Sequence, residues 1–240
     1  MNSFVAPNRI ARVAGLALLA GIVLVVGANY AVNFRLIVPG NAAETARNIL
    51  AHEGLFRLNS VCNVLYAFCL LVLLATLYLL LKPLDPALAL LAALCRAVVA
   101  LMWCGTALNS LGALRFLNDA ALLAAFPSNQ VQVLARLQLA SSYDAYYLGL
   151  PFWGGASTLC AWLWFRSRYI PRALAAYGIL ASAWCVFCAL AFLAVPHFTR
   201  FVNASLFDLP ILLFELALGC WLLVKGLYPP PQAGPAGSSR

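Results

Sequence analysis

Residues 59–96 read NSVCNVLYAFCLLVLLATLYLLLKPLDPALALLAALCR, and this stretch decides the fold. From Asn59 to Leu81 no residue is charged. An apolar run of roughly 20 residues crosses about 30 Å of hydrocarbon as a helix at 1.5 Å per residue. Lys82-Pro-Leu-Asp-Pro86 then stops one helix and starts the next, since proline cannot continue a helix but suits its first turn. A second apolar run follows at once. The segment is a hairpin of two membrane-spanning helices, and its last residue, Arg96, puts a charge where charge is expensive.

The same pattern recurs outward from this hairpin. Apolar runs predict spans at 13–33, 59–81, 88–111, 145–165, 173–195 and 209–225. The chain of 240 residues is 65% hydrophobic and 9% charged, with mean hydropathy +0.92. Soluble domains carry about 25% charged residues. The expected fold is all-α, a polytopic bundle of six transmembrane helices with short amphipathic outer helices. Three regions follow: a cytoplasmic N-terminal segment at 1–12, the membrane domain at 13–226, and a disordered cytoplasmic tail at 227–240 with too little apolar surface to fold. Span one is longer than a signal-peptide core of about 7–15 residues, so it is expected to be retained.

Two connections carry helix signals. Asn41-Ala-Ala-Glu44 has the form of a capping box, followed by Ala46, Ile49 and Leu50 at helical spacing. Further on, Asn118 or Asp119 caps one apolar turn and Pro127 breaks it. Ser128 then starts a separate amphipathic helix that turns Val131, Leu134 and Leu137 against Gln130, Gln132, Arg136 and Gln138.

The net charge of +8 is dispersed along the span ends and marks topology, not nucleic acid. Arg9, Arg12, Lys82, Arg166, Arg168, Arg172, Lys225 and Arg240 fall on one side, opposed by Asp85. On the other side Arg35, Arg47, Arg57, Arg115, Arg136 and Arg200 are balanced by Glu44, Glu53, Asp119, Asp144 and Asp208. Both termini are therefore expected in the cytoplasm. Most of the eight cysteines lie within spans and read as small apolar core residues. Cys185-Val-Phe-Cys188 has redox spacing but no basic neighbour to make a thiolate.

The chemistry-bearing residues are few. Arg96 in span three and Glu215 in span six both lie roughly 12–15 Å from the cytoplasmic ends of their helices. Equal depth makes an intramembrane ion pair available, either a structural staple or part of a relay. A relay usually needs further ionisable residues within the spans, and by these boundaries there are none. In the outer half, Asn29, Asn59, Asn63, Tyr66, Asn109, Tyr143, Asp144, Tyr147 and His197 converge on one level from five spans. They form either ordinary interhelical hydrogen bonds or an outward polar pocket. Pro151, Gly154 and Gly155 either kink span four or let a neighbour approach; close packing at Gly155 is the favoured reading. His52 and His197 are too few for a metal site, and no Gly-x-Ser-x-Gly elbow or phosphate-binding loop occurs. No cofactor is expected.

Several stretches carry a family likeness: Asn48-Ile-Leu-Ala-His-Glu53 with Phe56-Arg57, Leu80-Leu-Lys-Pro83, Cys95-Arg96, Phe165-Arg-Ser-Arg-Tyr-Ile-Pro-Arg172, and Glu215 leading to Trp221-Leu-Leu-Val-Lys-Gly226. In this order, over residues 10–226, the chain resembles an uncharacterised family of bacterial six-span integral membrane proteins known as a domain of unknown function. The resemblance implies an inner-membrane location and one compact domain, and no activity. The sequence favours a binding or regulatory module that senses a lipid or envelope signal, or that acts through a membrane-protein partner or a second copy of itself. A small-molecule or ion transporter is the alternative. An intramembrane enzyme using His52, Glu53, Asp144 or His197 on lipid-like substrates is the second.

Overall fold

The computed structural model describes residues 5–28, 32–195, 197–198, 202 and 204–228, and every regular element among them is helical. In chain order these are α1 (Val5–Ala28), α2 (Phe34–Leu36), α3 (Ala42–Ala51), α4 (Glu53–Leu81), α5 (Pro86–Asn118), α6 (Ala120–Ala125), α7 (Ser128–Ser167), α8 (Arg172–Ala194) and α9 (Ala204–Val224). The helix at α1 already includes residues expected in a separate N-terminal segment, and most of the expected tail lies outside the described residues. Local chemistry fixes the boundaries. Asp85 accepts from the amides of Ala87 and Leu88 just before Pro86, which starts α5. At α3 the capping box forms in both directions: Asn41 Oδ1 accepts from Glu44 N at 3.0 Å, and Asn41 Nδ2 donates to Glu44 Oε2 at 2.9 Å.

Six long helices close into a ring. α1 packs on α4, α4 on α5, α5 on α7, α7 on α8, α8 on α9, and α9 back on α1. Neighbours run antiparallel throughout, so α4, α7 and α9 share one direction. The outside of the ring is apolar: Leu58, Val61, Phe68, Leu71 and Leu79 on α4, Leu94, Leu101 and Leu108 on α5, and Leu180 and Phe187 on α8 are exposed. Such a surface suits lipid. One rim carries exposed Lys82, Arg166, Arg168, Arg172 and Lys225. The opposite rim, here the α3 end, carries exposed Arg57, Arg115 and Arg136, with α3 packed on α4, α5 and α7 over Phe56, Leu114 and Leu139.

Five of the long helices, α1, α4, α5, α8 and α9, are long and apolar enough to cross a membrane. The expected span at 145–165 lies inside α7 and carries no charge. Its Tyr, Trp, Gly and Pro residues lower its apolarity below that of the other five, which makes the count of six approximate.

Small residues draw the ring together, as helices in lipid require. A Cβ at Gly15 of α1 would stand 2.8 Å from Gly219 O and from Leu223 N of α9. On α8 it is Gly178 against which the Phe214 ring of α9 lies. The close approach expected at Gly155 falls instead on Gly154, where a Cβ would meet Ser182 O of α8 at 2.9 Å; Gly155 faces open space. One residue is a turn of about 100° on a helix, enough to move a position from contact to surface.

The second amphipathic helix expected after Pro127 is not separate. It continues into the spanning stretch as the 40-residue α7, because nothing between Ser128 and Leu150 breaks a helix. Its buried face is Val131, Ala135, Leu139 and Ser142; Leu134 and Leu137 are exposed.

Candidate functional site

Inside the ring a polar chain joins three helices. Arg96 of α5 and Glu215 of α9 are each only 4% exposed. The Arg96 Nη2 donates to Ser157 Oγ of α7 at 3.4 Å, Ser157 Oγ donates to Glu215 Oε1 at 3.1 Å, and Trp153 Nε1 donates to the same oxygen at 2.8 Å. A hydroxyl accepts and donates together, so Ser157 couples the two charges. The direct contact expected of Arg96 and Glu215 is replaced by this bridge, because α5 and α9 are not ring neighbours and α7 stands between their side chains. Arg96 Nε and Nη1 have no hydrogen-bond partner among the described residues. A buried guanidinium with open donors costs several kcal/mol in low dielectric, which Glu215 offsets through the bridge.

Two small hollows flank this chain. One lies beside Arg96, among Leu74, Leu77, Ala89 and Cys160, and has no room for a water. The other lies beside Glu215, Tyr66, Cys69 and Leu73, with room for about one water.

A second contact repeats the first one two turns away. Tyr146 Oη of α7 donates to Asp208 Oδ2 of α9 at 3.2 Å. Tyr146 and Trp153 are seven residues apart, as are Asp208 and Glu215, so the two parallel helices present donors and carboxylates in register. Aromatic rings continue the layer: Tyr66 meets Trp103 at 4.9 Å between centroids, Trp103 meets Tyr146 at 5.8 Å, and Tyr146 meets Tyr147 at 5.4 Å.

Asp208 corrects the sequence reading, which set it in a loop and left the spans no ionisable residue besides Arg96 and Glu215. The helix starts at Ala204 and runs through Pro210, so Asp208 lies within it. Proline withholds the amide that would bond the Leu206 carbonyl, and Trp184 Nε1 donates to that oxygen at 3.1 Å. No local motif marks Trp153 or Ser157. Their signal is the period: Tyr146, Trp153 and Ser157 fall at i, i+7 and i+11 on one helix face.

The other expected site residues divide into groups. Asn59 and Asn63, each 1% exposed, share a face of α4 with Tyr66. The Asn59 Nδ2 donates to Asn33 Oδ1 at 2.7 Å, while Asn59 Oδ1 and Asn63 Oδ1 have no hydrogen-bond partner among the described residues. Asn109 belongs to a seam between α5 and α7: its Nδ2 donates to Ser141 O at 3.2 Å and its Oδ1 accepts from Gln138 Nε2 at 2.7 Å. Thr106 and Ser110 extend the seam to Ser142. Tyr147 is half-buried beside Tyr146 and Phe192. Tyr143, Asp144 and His197 are exposed, His197 at φ 66° beyond α8. Asn29 lies outside the described residues. Cys185 and Cys188 pack in an apolar cluster with Leu150 and Phe207. Among the described residues no three His, Cys, Asp or Glu side chains gather where they could hold a metal.

Apolar exterior, basic rims and a ring of antiparallel helices with buried charges at its centre define a polytopic helical membrane protein. The chain belongs to the family described as Domain of unknown function (DUF4386), which matches residues 13–226. No curated protein and no solved structure matches it.

Proposed function

We propose that the chain is a binding or regulatory module of the membrane and not a conduit. The observation that supports this reading is the closure of the ring over interior polar groups that bond to one another: Arg96 to Ser157, Ser157 and Trp153 to Glu215, Tyr146 to Asp208, and Asn109 to Gln138 and Ser141. The hollow beside Glu215 has room for about one water at most. A permeation path needs a water-filled or alternating cavity at the bundle midplane. The densely basic rim bearing Arg166, Arg168 and Arg172 supports a bacterial inner-membrane protein with both termini in the cytoplasm and the α3 end outside. Its partners are the bilayer and a membrane protein or a second copy of this chain, with no nucleic acid.

The purified chain reconstituted in vesicles tests this. Proton and small-solute leak equal to that of protein-free vesicles is the expected result. Proton flux abolished by Glu215→Gln would overturn it in favour of transport. That second reading draws on one observation, the two carboxylates Asp208 and Glu215 on a single face of α9. The enzyme reading draws no such support: Glu53 is held by Arg57 at 2.7 Å and Asn118 at 3.1 Å, and Asp144 and His197 stand apart on the surface.

A further inference from the structure

Among the described residues, the buried side-chain polar atoms without a hydrogen-bond partner are segregated by type. Towards the α3 end they are oxygens, Asn59 Oδ1 and Asn63 Oδ1; towards the other end they are N–H groups, Arg96 Nε and Nη1, Trp164 Nε1 and Trp221 Nε1. Ser182 Oγ, on α8, serves as either. The two asparagines stand on successive turns of one face of α4, about 6 Å apart along its axis. About 5 Å deeper lies the aromatic layer of Tyr66, Trp103 and Tyr146, and in that layer the Asp208 carboxylate accepts, among the described residues, from the Tyr146 phenol. No cation pairs with Asp208 among the described residues.

We infer that the α3-end half of the ring is a binding site for a small monovalent cation, an alkali ion or an ammonium, with Asn59 and Asn63 carbonyl oxygens as its ligands. The inference rests on the reading of the chain as a binding module and names the ligand class of that module. An unpartnered amide oxygen in low dielectric attracts a cation or a donor and repels an anion. Asp208, in the layer below, supplies the compensating negative charge. A divalent ion is disfavoured, since hard divalent cations take several carboxylates; among the described residues Asp208 is the one carboxylate turned into the ring at this level, Asp144 being exposed on the surface. The Arg96 guanidinium deeper in the ring opposes passage of any cation, so the site binds without conducting.

The test is thermal unfolding of the detergent-solubilised full chain, titrated separately with sodium, potassium, ammonium and choline chlorides. Ionic strength is held with N-methylglucamine chloride, whose cation is too bulky for the bundle. The expected result is a saturable rise in the midpoint with at least one of these cations, the arms distinguishing an inorganic ion from an ammonium. Asn63→Leu should weaken apparent affinity about tenfold or more, as loss of one charge-assisted contact does. Asn63→Asp should strengthen it, and this variant decides the matter if Asn63→Leu does not fold. Arg57→Gln, on the surface, should leave it unchanged. No saturable shift with any of the four cations, or equal shifts in wild type and Asn63→Asp, would overturn the site. Cation binding accompanied by cation flux in vesicles would instead overturn the non-conducting reading and leave the site standing.

Discussion

Adjacent glycines on α7 should respond to the same substitution with opposite signs. Gly154 lies against α8, where an added Cβ would stand 2.8 Å from Val186 Cγ2, 2.9 Å from Ser182 O and 3.2 Å from Val186 N. Two of these atoms are backbone and cannot rotate away, so α8 must withdraw by about 0.5 Å or more to reach ordinary contact. Overpacking of this kind costs about 1–3 kcal/mol, and replacing a helical glycine by alanine returns about 0.5–1 kcal/mol. Gly154→Ala should therefore destabilise by roughly 0.5–2 kcal/mol. Gly155 meets nothing within 4 Å, so Gly155→Ala keeps only the helix-propensity gain and stabilises by about 0.5–1 kcal/mol. Reversible unfolding in mixed micelles, followed by the fluorescence of the six tryptophans, measures both. Equal shifts for the two variants, or a gain for Gly154→Ala, would refute the placement of α8 against that face.

Other contacts make separable predictions. Asn8→Ala should loosen the rim near the chain ends, because Asn8 Oδ1 accepts from Leu227 N at 2.8 Å; faster amide exchange at 226–228 would report it, and unchanged exchange would argue against the contact. Asn41→Ala removes the cap of α3 and should lower its local stability by about 1 kcal/mol, read as earlier proteolysis between α2 and α4. Tyr146→Phe leaves Asp208 without its phenol donor and should destabilise by about 1–3 kcal/mol. Asp208→Asn in the same background should recover part of that loss.

Much of the fold was legible because lipid allows few solutions. Uncharged runs such as 59–81 have one use, and the Lys82–Pro86 turn and the Asn41–Glu44 capping box carry their own stereochemistry. Counting residues along a helix sets Arg96 and Glu215 at one level, and Ser157 touches both. Their separation was not legible. Which helices become neighbours is decided by side-chain fit around the ring, and no local signal says that α9 closes on α1 and leaves α7 between the two charges. Asp208 was misplaced because proline reads as a boundary, whereas Trp184 supplies a donor that lets the helix run through it. The contact at Gly154 was missed by one residue for the same reason as the face of α7 bearing Leu134 and Leu137: composition does not fix helix rotation. Asn109 looked like a pocket group because its type allows that use, and its spending on Gln138 and Ser141 is visible only once α5 lies beside α7.

The central claim is that Arg96, Ser157 and Glu215 act as one fastening across α5, α7 and α9. A double-mutant cycle on unfolding free energy, with Arg96→Met, Glu215→Gln and the pair, tests it most directly. Removing either charge strands or unbalances the other, so each single change should destabilise by about 3–5 kcal/mol. The pair should destabilise by less than the sum, with a coupling of roughly 1–3 kcal/mol. Additive effects, with no coupling between the two sites, would contradict the claim.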